Sequence, residues 1–193
     1  MFSWFHFLSY AIVTAVTPGP NNLMSMSNAS QLGMRRALPF NLGIWCGFSL
    51  VMLLCTFFCG ALSWLIPKIK LPMLIVGAVY MLHLAWKTFR STSTLEKNCT
   101  TAGFRSGLLL QFVNPKIYLY CIVSMEAYIL PFYQGQWAIL MLFALLLAFI
   151  GFVFTLCWAL FGSVFKLLFS KYAKITNTIM ALLLIYCAVS LFL

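Results

Sequence analysis

The segment from Thr17 to Asn22, with the sequence Thr-Pro-Gly-Pro-Asn-Asn, separates two apolar runs with residues that oppose helix formation. Its prolines lack an N–H donor, its glycine adds backbone freedom, and its asparagines compete with the backbone for hydrogen bonds. In a bilayer an unpaired backbone group is costly, so such an interruption survives only inside protein or beside a water-filled cavity. In a membrane chain, this segment therefore indicates a binding site or a pathway.

The composition is that of a polytopic membrane protein. Hydrophobic residues make up 64% of the chain and charged residues 7%, whereas soluble domains carry about 25% charged residues. We expect one transmembrane domain over residues 1–193, embedded in a lipid bilayer, with no soluble module. The net charge of +10 does not indicate nucleic-acid binding, because the basic residues lie in short loops, where they set membrane orientation.

Six apolar runs are long enough for membrane-spanning helices of about 20 residues. The predicted fold class is an all-α membrane protein of six transmembrane helices, with helices 1 and 4 broken by proline. The predicted spans are Trp4 to Gly33, Phe40 to Ile66, Leu71 to Phe89, Phe104 to Leu130, Trp137 to Phe165 and Ile175 to Leu193. The first run lacks the basic start and the cleavage site of a signal peptide.

Lysine and arginine are distributed unequally between the two sides of the predicted bundle. The loops after the first, third and fifth spans contain nine of these residues, and the opposite loops contain two, Lys68 and Lys70. Because basic loops remain in the cytoplasm, both termini are predicted to lie on the outer face.

The two halves of the chain share one plan, in which three spans begin with a proline-broken span. Residues 1–90 form the first predicted repeat, 91–103 a cytoplasmic linker, and 104–193 the second repeat. An odd number of spans in each repeat gives the halves opposite orientations. Paired interrupted spans of this kind indicate an inverted-repeat transporter with a binding site near the membrane midplane.

The two breaks supply the candidate substrate-binding residues. The half-helix that follows Pro20 exposes N–H groups that favour a carboxylate, and carbonyls freed before the break can accept hydrogen bonds from an ammonium. The candidates are Thr17, Pro18, Gly19, Pro20, Asn21, Asn22, Gln111, Asn114, Pro115 and Lys116. A plain proline kink repaired by neighbouring helices is the structural alternative.

Three titratable residues in the spans are candidates for proton coupling: Lys116, Glu126 and His83. A charge inside a span is costly and marks a functional residue, and histidine titrates near neutral pH. Each also has a structural interpretation. Lys116 would cap carbonyls freed by Pro115, Glu126 would pair with a loop lysine at the outer interface, and His83 would be a packing residue.

No metal site or cofactor is expected, because none of the seven cysteines forms a Cys-x-x-Cys pair and most lie in apolar runs. Gly43 and Gly47 form a Gly-x-x-x-Gly motif, which we interpret as close packing between helices of one chain. A homodimer is left open.

These motifs resemble the LysE/RhtB family of bacterial amino-acid exporters. The family's Pro-Gly-Pro followed by Asn is present after Thr17, and its Asn-Pro-Lys begins at Asn114. Further matches are Gly33-x-Arg35-Arg36-Ala37, Gly43-x-x-x-Gly47, Gly77, Tyr80 and Trp86-Lys87. The stretches 110–114, 157–160 and 181–189 are similar to the branch of the family that exports cysteine and O-acetylserine.

The resemblance implies a secondary exporter of small neutral amino acids, above all cysteine and O-acetylserine. It implies transport from the cytoplasm to the periplasm across a bacterial inner membrane, by proton exchange and alternating access. Many relatives carry an aspartate just after the second glycine of the second span, where this chain has Phe48. A coupling acid at that position therefore does not transfer to this chain.

Other functions stay open at this point. An exporter of homoserine, threonine or serine would share the same motifs. A membrane-embedded enzyme would need catalytic or metal-binding groups at the active depth, but the spans offer only one glutamate together with His6 and His83. A channel would share the helix breaks, and saturable efflux that depends on a proton gradient separates a carrier from a channel.

Overall fold

The computed structural model describes residues 2–90, 103–165, 167 and 171–190, and no strand is present in these ranges. The α-helices are α1 Trp4–Val16, α2 Pro20–Leu32, α3 Met34–Phe57, α4 Cys59–Arg90, α5 Phe104–Phe112, α6 Pro115–Val123, α7 Leu130–Tyr133, α8 Trp137–Val164 and α9 Ala173–Ser190. A π-helix, Ser124–Ile129, joins α6 to α7. The predicted linker, 91–103, lies outside the described residues except for Gly103.

Two of the described helices, α3 and α8, are long and apolar enough to cross a membrane. A third span is added when α5 and the helical stretch from Pro115 to Tyr133 are counted as one, and these two segments are bent by 60°. Helices α1 and α9 are apolar but shorter than a full span. The described part of the chain is therefore all-α, with two to three apolar spans by length and composition, and the six-span arrangement stays a prediction.

The expected boundary between the second and third spans is wrong. We expected the second helix to continue to Ile66 and to end before Pro67, but α3 ends at Phe57 and α4 begins at Cys59. Pro67 therefore lies inside α4. A proline removes one intrahelical hydrogen bond and bends a helix, but a membrane helix can continue through it.

Helices α3 and α5 pack backbone against backbone. Gly43 of α3 lies against the carbonyl of Phe104, and Gly107 of α5 lies against the carbonyl of Phe40, so a Cβ at either glycine would overlap main-chain atoms. Gly47 contacts α5 one turn further along α3. The Gly-x-x-x-Gly motif thus packs against a helix of the same chain, as its interpretation required.

A second close contact joins α2 to α8, where Gly162 lies against the carbonyl of Met26. The other principal helix pairs are α4 with α9 and α3 with α8. The interrupted helices are therefore held by the two long apolar ones, since α5 packs on α3 and α2 packs on α8. This arrangement fixes both breaks relative to each other.

Buried apolar side chains form two large clusters that divide at the breaks. The first cluster includes Phe7 of α1, Tyr120 of α6, and parts of the π-helix, α3 and α8. The second includes Leu23 of α2, Leu110 of α5, Met81 of α4, and parts of α3 and α9. Because α1 and α2 belong to different clusters, as do α5 and α6, both breaks lie where one cluster gives way to the other.

Helix α2 lies inside the protein but carries several polar side chains. Asn22, Ser25 and Asn28 are at most 4% exposed. A lipid-facing helix could not carry these side chains without a large desolvation cost, so their burial accounts for the position of α2 between its neighbours.

Candidate functional site

The two breaks, 17–19 and 113–114, are each followed by a helix that begins with proline. In the first, α1 ends at Val16 and α2 begins at Pro20. In the second, α5 ends at Phe112 and α6 begins at Pro115. A proline is favourable in the first turn of a helix, where its missing N–H has no partner to lose, and it disfavours helical geometry in the preceding residue. The same chemistry therefore ends one helix and starts the next.

The carboxamide of Asn22 satisfies the end of α1. Its Nδ2 donates hydrogen bonds to the carbonyl oxygens of Ala15, at 2.9 Å, and Thr17, at 3.0 Å. Its Oδ1 accepts a hydrogen bond from the hydroxyl of Thr155 on α8, at 3.2 Å. One buried side chain therefore replaces main-chain partners that the break removed.

Two further carbonyls at the first break are paired by distant side chains. The indole Nε1 of Trp158 donates to the carbonyl of Val16 at 3.2 Å, and the thiol of Cys187 donates to the carbonyl of Pro18 at 3.4 Å. Side chains from α8 and α9 thus complete the hydrogen bonding of the break, which holds its irregular backbone inside the bundle.

Lys116 joins the second break to the first. Its Nζ donates to the carbonyl oxygen of Thr17 at 2.9 Å and to the hydroxyl Oγ1 of the same residue at 2.8 Å. The lysine side chain passes over Gly19, where a Cβ would lie 3.1 Å from Cδ and 3.2 Å from Nζ of the lysine. Gly19 has an extended backbone, with φ of −165°, so this close approach, and not its backbone angle, is what favours glycine.

A chain of carboxamides connects the same two breaks. Asn21 Nδ2 donates to Gln111 Oε1 at 2.8 Å, and Asn114 Nδ2 donates to Asn21 Oδ1 at 3.2 Å. Gln111 Nε2 donates to the carbonyl of Gly107 at 2.8 Å, within α5. Gln111 and Asn114 are buried, so the interaction of these amides is protected from water and geometrically specific.

The N-termini that follow the breaks differ. Asn114 caps α6, because its side chain accepts a hydrogen bond from the main-chain N–H of Lys116 at 3.2 Å. Helix α2 has Gly19 at the equivalent position and receives no side-chain cap. The N–H groups and the positive end of the helix dipole are therefore more available to an anion at α2 than at α6.

A cavity of about 40 Å³ lies between the breaks. A water molecule needs about 10–15 Å³ on this measure, so the cavity has room for about three waters or a comparably small group. Six of the predicted site residues line it: Gly19, Pro20, Asn21, Asn22, Asn114 and Lys116. The remaining lining residues are Thr14, Ala15, Phe48, Ile117, Tyr120, Gly151 and Thr155.

The other predicted residues lie beside the cavity or away from it. Thr17 and Gln111 bond to residues that line it, Pro18 lies in the first break, and Pro115 packs against Gly77 of α4. The two remaining proton-coupling candidates do not line the cavity. Glu126 is exposed in the π-helix and His83 is exposed on α4.

Several residues at the site were not among the substrate-binding residues predicted from the sequence. Thr155, Trp158 and Cys187 pair with groups of the first break, and Tyr120 lines the cavity. Trp158 and Cys187 lie in two of the stretches that carried the family resemblance, 157–160 and 181–189, and those stretches were the available signal. Within residues 2–90, 103–165, 167 and 171–190, no three His, Cys, Asp or Glu side chains are grouped as a metal site would require.

Comparison with known proteins places this chain in one family. Residues 12–193 match the family described as LysE type translocator. The chain is 42% identical over 188 residues to the cysteine/O-acetylserine efflux protein of Salmonella paratyphi A, covering 96% of this chain and 95% of the relative. It is 40% identical over 185 residues to the protein of that name from Klebsiella pneumoniae, covering 95% and 93%.

The protein of the same name from Escherichia coli O1:K1 is 38% identical over 189 residues, with 96% of this chain and 95% of the relative covered. No solved structure matches the chain. These relatives are named as efflux proteins and not as enzymes. The chain belongs to the LysE family of translocators.

Proposed function

We propose that the protein is a secondary active exporter of small neutral amino acids, with cysteine and O-acetylserine as its first substrates. The names of relatives that are about 40% identical over nearly their whole length support this substrate class. Export would run from the cytoplasm to the periplasm across the bacterial inner membrane, with both termini periplasmic. Homoserine, threonine and serine are the next substrates to test.

The observation that carries the proposal is the contact of Lys116 with Thr17 across the two breaks, beside the cavity. The ammonium of Lys116 has two oxygen acceptors on Thr17, and neither of them carries a charge. A substrate carboxylate is a stronger partner for an ammonium than a carbonyl or hydroxyl oxygen, because it adds the attraction between opposite charges to the hydrogen bond. Substrate binding would therefore draw Lys116 away from Thr17 and loosen the link between the breaks.

The two ends of an amino-acid zwitterion have complementary groups at the cavity. The uncapped N-terminus of α2, at Asn21 and Asn22, lies on the cavity wall together with Lys116, and both favour a carboxylate. Each asparagine carboxamide oxygen already accepts one hydrogen bond, and its second lone pair would accept a hydrogen bond from the substrate ammonium. The cavity of about 40 Å³ is smaller than a whole amino acid, so substrate binding would have to widen it.

Alternating access would arise from two inverted repeats, residues 1–90 and 104–193, joined by the linker 91–103. The helix contacts support this proposal because they are equivalent in the two repeats. Helix α2 of the first repeat packs on α8 of the second, and α5 of the second repeat packs on α3 of the first. The breaks would act as the flexible points of the first and fourth spans, which lie where the two apolar clusters meet.

Lys116 is the proposed proton-coupling residue. Of Lys116, Glu126 and His83, it is the one that lines the cavity, so its charge and the substrate can influence each other directly.

The test uses purified protein in liposomes loaded with labelled O-acetylserine. We expect saturable efflux that accelerates when the outside is acidified, and that also accelerates when unlabelled substrate is added outside. Efflux that rises linearly with concentration and ignores external substrate would favour a channel. Efflux equal to that of protein-free liposomes would reject the proposal.

A further inference from the structure

The hydroxyl of Tyr120 has no assigned role in the site described above. Tyr120 lies on α6, four residues after Lys116, and lines the cavity with 3% of its surface exposed. Its hydroxyl oxygen is buried and has no hydrogen-bond partner within the described part of the chain. Buried hydroxyl groups are nearly always paired, because desolvation without a partner is unfavourable.

Apolar residues line the cavity beside Tyr120. The ring of Phe48 lies 6.0 Å from the ring of Tyr120, measured between centroids, and Ile117 and Gly151 line the same cavity. A Cβ on Gly151 would overlap the Phe48 ring, so the absence of a side chain there allows Phe48 its position. This part of the lining therefore combines apolar side chains with the unpaired hydroxyl of Tyr120, whereas the hydroxyl of Thr155 is bound to Asn22.

The remaining wall holds the groups that suit a zwitterion, with Lys116, Asn21 and Asn114 among them. An amino acid that places its carboxylate and ammonium on these groups must direct its side chain toward other parts of the lining. The Phe48–Tyr120 wall is the part that matches a short side chain with one polar group.

We propose that Tyr120 determines side-chain specificity, with its hydroxyl bound to the hydroxyl, thiol or ester carbonyl of the substrate side chain. Phe48 closes the apolar surface beside it and limits side-chain length. This inference rests on the proposed amino-acid export. It adds the Tyr120 hydroxyl as the group that distinguishes one substrate side chain from another.

A purely structural role for Tyr120 makes a different prediction. Its ring stacks on Tyr10, with centroids 6.1 Å apart and planes at 18°, and it belongs to the first apolar cluster. Phenylalanine would keep this packing. Tyr120→Phe therefore removes the hydroxyl alone, and we expect the variant to fold as well as the wild type.

The test compares serine with 2-aminobutyrate, which has a methyl group in place of the serine hydroxyl, as competitors of labelled O-acetylserine transport in liposomes. Wild-type protein should prefer serine, and Tyr120→Phe should lose about fivefold of that preference, as expected for one net hydrogen bond. The affinity for 2-aminobutyrate should stay unchanged. Tyr10→Phe is the matched control, because Tyr10 stacks on Tyr120 but does not line the cavity.

An unchanged preference for serine in Tyr120→Phe would overturn the inference while leaving amino-acid export intact. An equal loss of affinity for both competitors would also overturn it, because that result would indicate a general effect on packing. Absence of any transport by the wild-type protein would reject the proposed function and this inference together.

Discussion

The side-chain ammonium of Lys116 lies 2.9 Å from the carbonyl oxygen and 2.8 Å from the hydroxyl oxygen of Thr17. These residues belong to different interrupted helices, and this contact joins the end of α1 to the start of α6. The ammonium of Lys116 thus links the two breaks. In the proposed function, a substrate carboxylate would attract the same ammonium and weaken this link.

The carboxamide pair of Asn21 and Gln111 should act as a unit. We expect Asn21→Ala and Gln111→Ala each to lower the thermal stability in detergent, and the double variant to be less destabilised than the sum of the two. The difference should be about 0.6–1.5 kcal/mol, the range for hydrogen bonds in membrane and soluble proteins. Additivity within about 0.3 kcal/mol would mean that the 2.8 Å contact contributes nothing measurable.

The prolines of the first break should be required for transport but not for insertion. With Pro18→Ala and Pro20→Ala together, the segment can continue as a helix, so the carbonyl of Thr17 gains a main-chain partner and no longer needs Lys116. We expect wild-type amounts of protein in the membrane and strongly reduced efflux of O-acetylserine from cells.

The control for the proline variant is Pro39→Ala, because Pro39 lies inside α3 and is exposed. That variant should export normally. Normal export by the Pro18/Pro20 variant would mean that the broken geometry is not needed for transport.

Backbone packing of α3 on α5 should be sensitive to a single methyl group. A Cβ at Gly107 would overlap the carbonyl of Phe40, so Gly107→Ala should destabilise the protein by about 1–3 kcal/mol, as overpacking does. Gly103→Ala is the matched control, since nothing lies within 4 Å of its added Cβ. The melting temperatures of the two variants can be measured by heating each protein and monitoring the folded fraction by size-exclusion chromatography. Equal melting temperatures would contradict the close contact of Gly107 with Phe40.

Glu126 should not be the proton carrier. It is exposed in the π-helix and does not line the cavity, so Glu126→Gln should keep both substrate-for-substrate exchange and efflux driven by a pH gradient. His83→Gln should behave in the same way for the same reason. Retention of exchange with loss of gradient-driven efflux in either variant would move proton coupling to that residue.

Helices α2 and α6 begin at Pro20 and Pro115, two prolines that the sequence analysis singled out, because proline acts on the backbone close to where it stands. That these helices belong to membrane spans broken by proline stays a prediction. Local sequence chemistry also identified Lys116 as a functional candidate, since a charge in an apolar run is costly wherever the partner lies. The contact with Thr17 was beyond such reasoning, because it depends on how α1 and α6 are placed relative to each other.

The misplaced boundary has a similar cause. Pro67 predicted a helix end, whereas α3 ends at Phe57 and Phe58 forms the turn before α4. The π-helix from Ser124 and the side-chain partner of Val16, Trp158, likewise lack a local signal. These features follow from packing between segments that are distant in the chain.

The most direct test of the central claim is the initial rate of O-acetylserine counterflow into liposomes for wild type, Lys116→Met and Lys174→Met. Lys174 is exposed on α9 and serves as the matched control. A hydrogen bond to a charged group contributes about 1.5–3 kcal/mol, so Lys116→Met should lower the rate by about tenfold or more, while Lys174→Met keeps the wild-type rate. A wild-type rate for folded, fully incorporated Lys116→Met protein would contradict the claim that substrate binds where Lys116 meets Thr17.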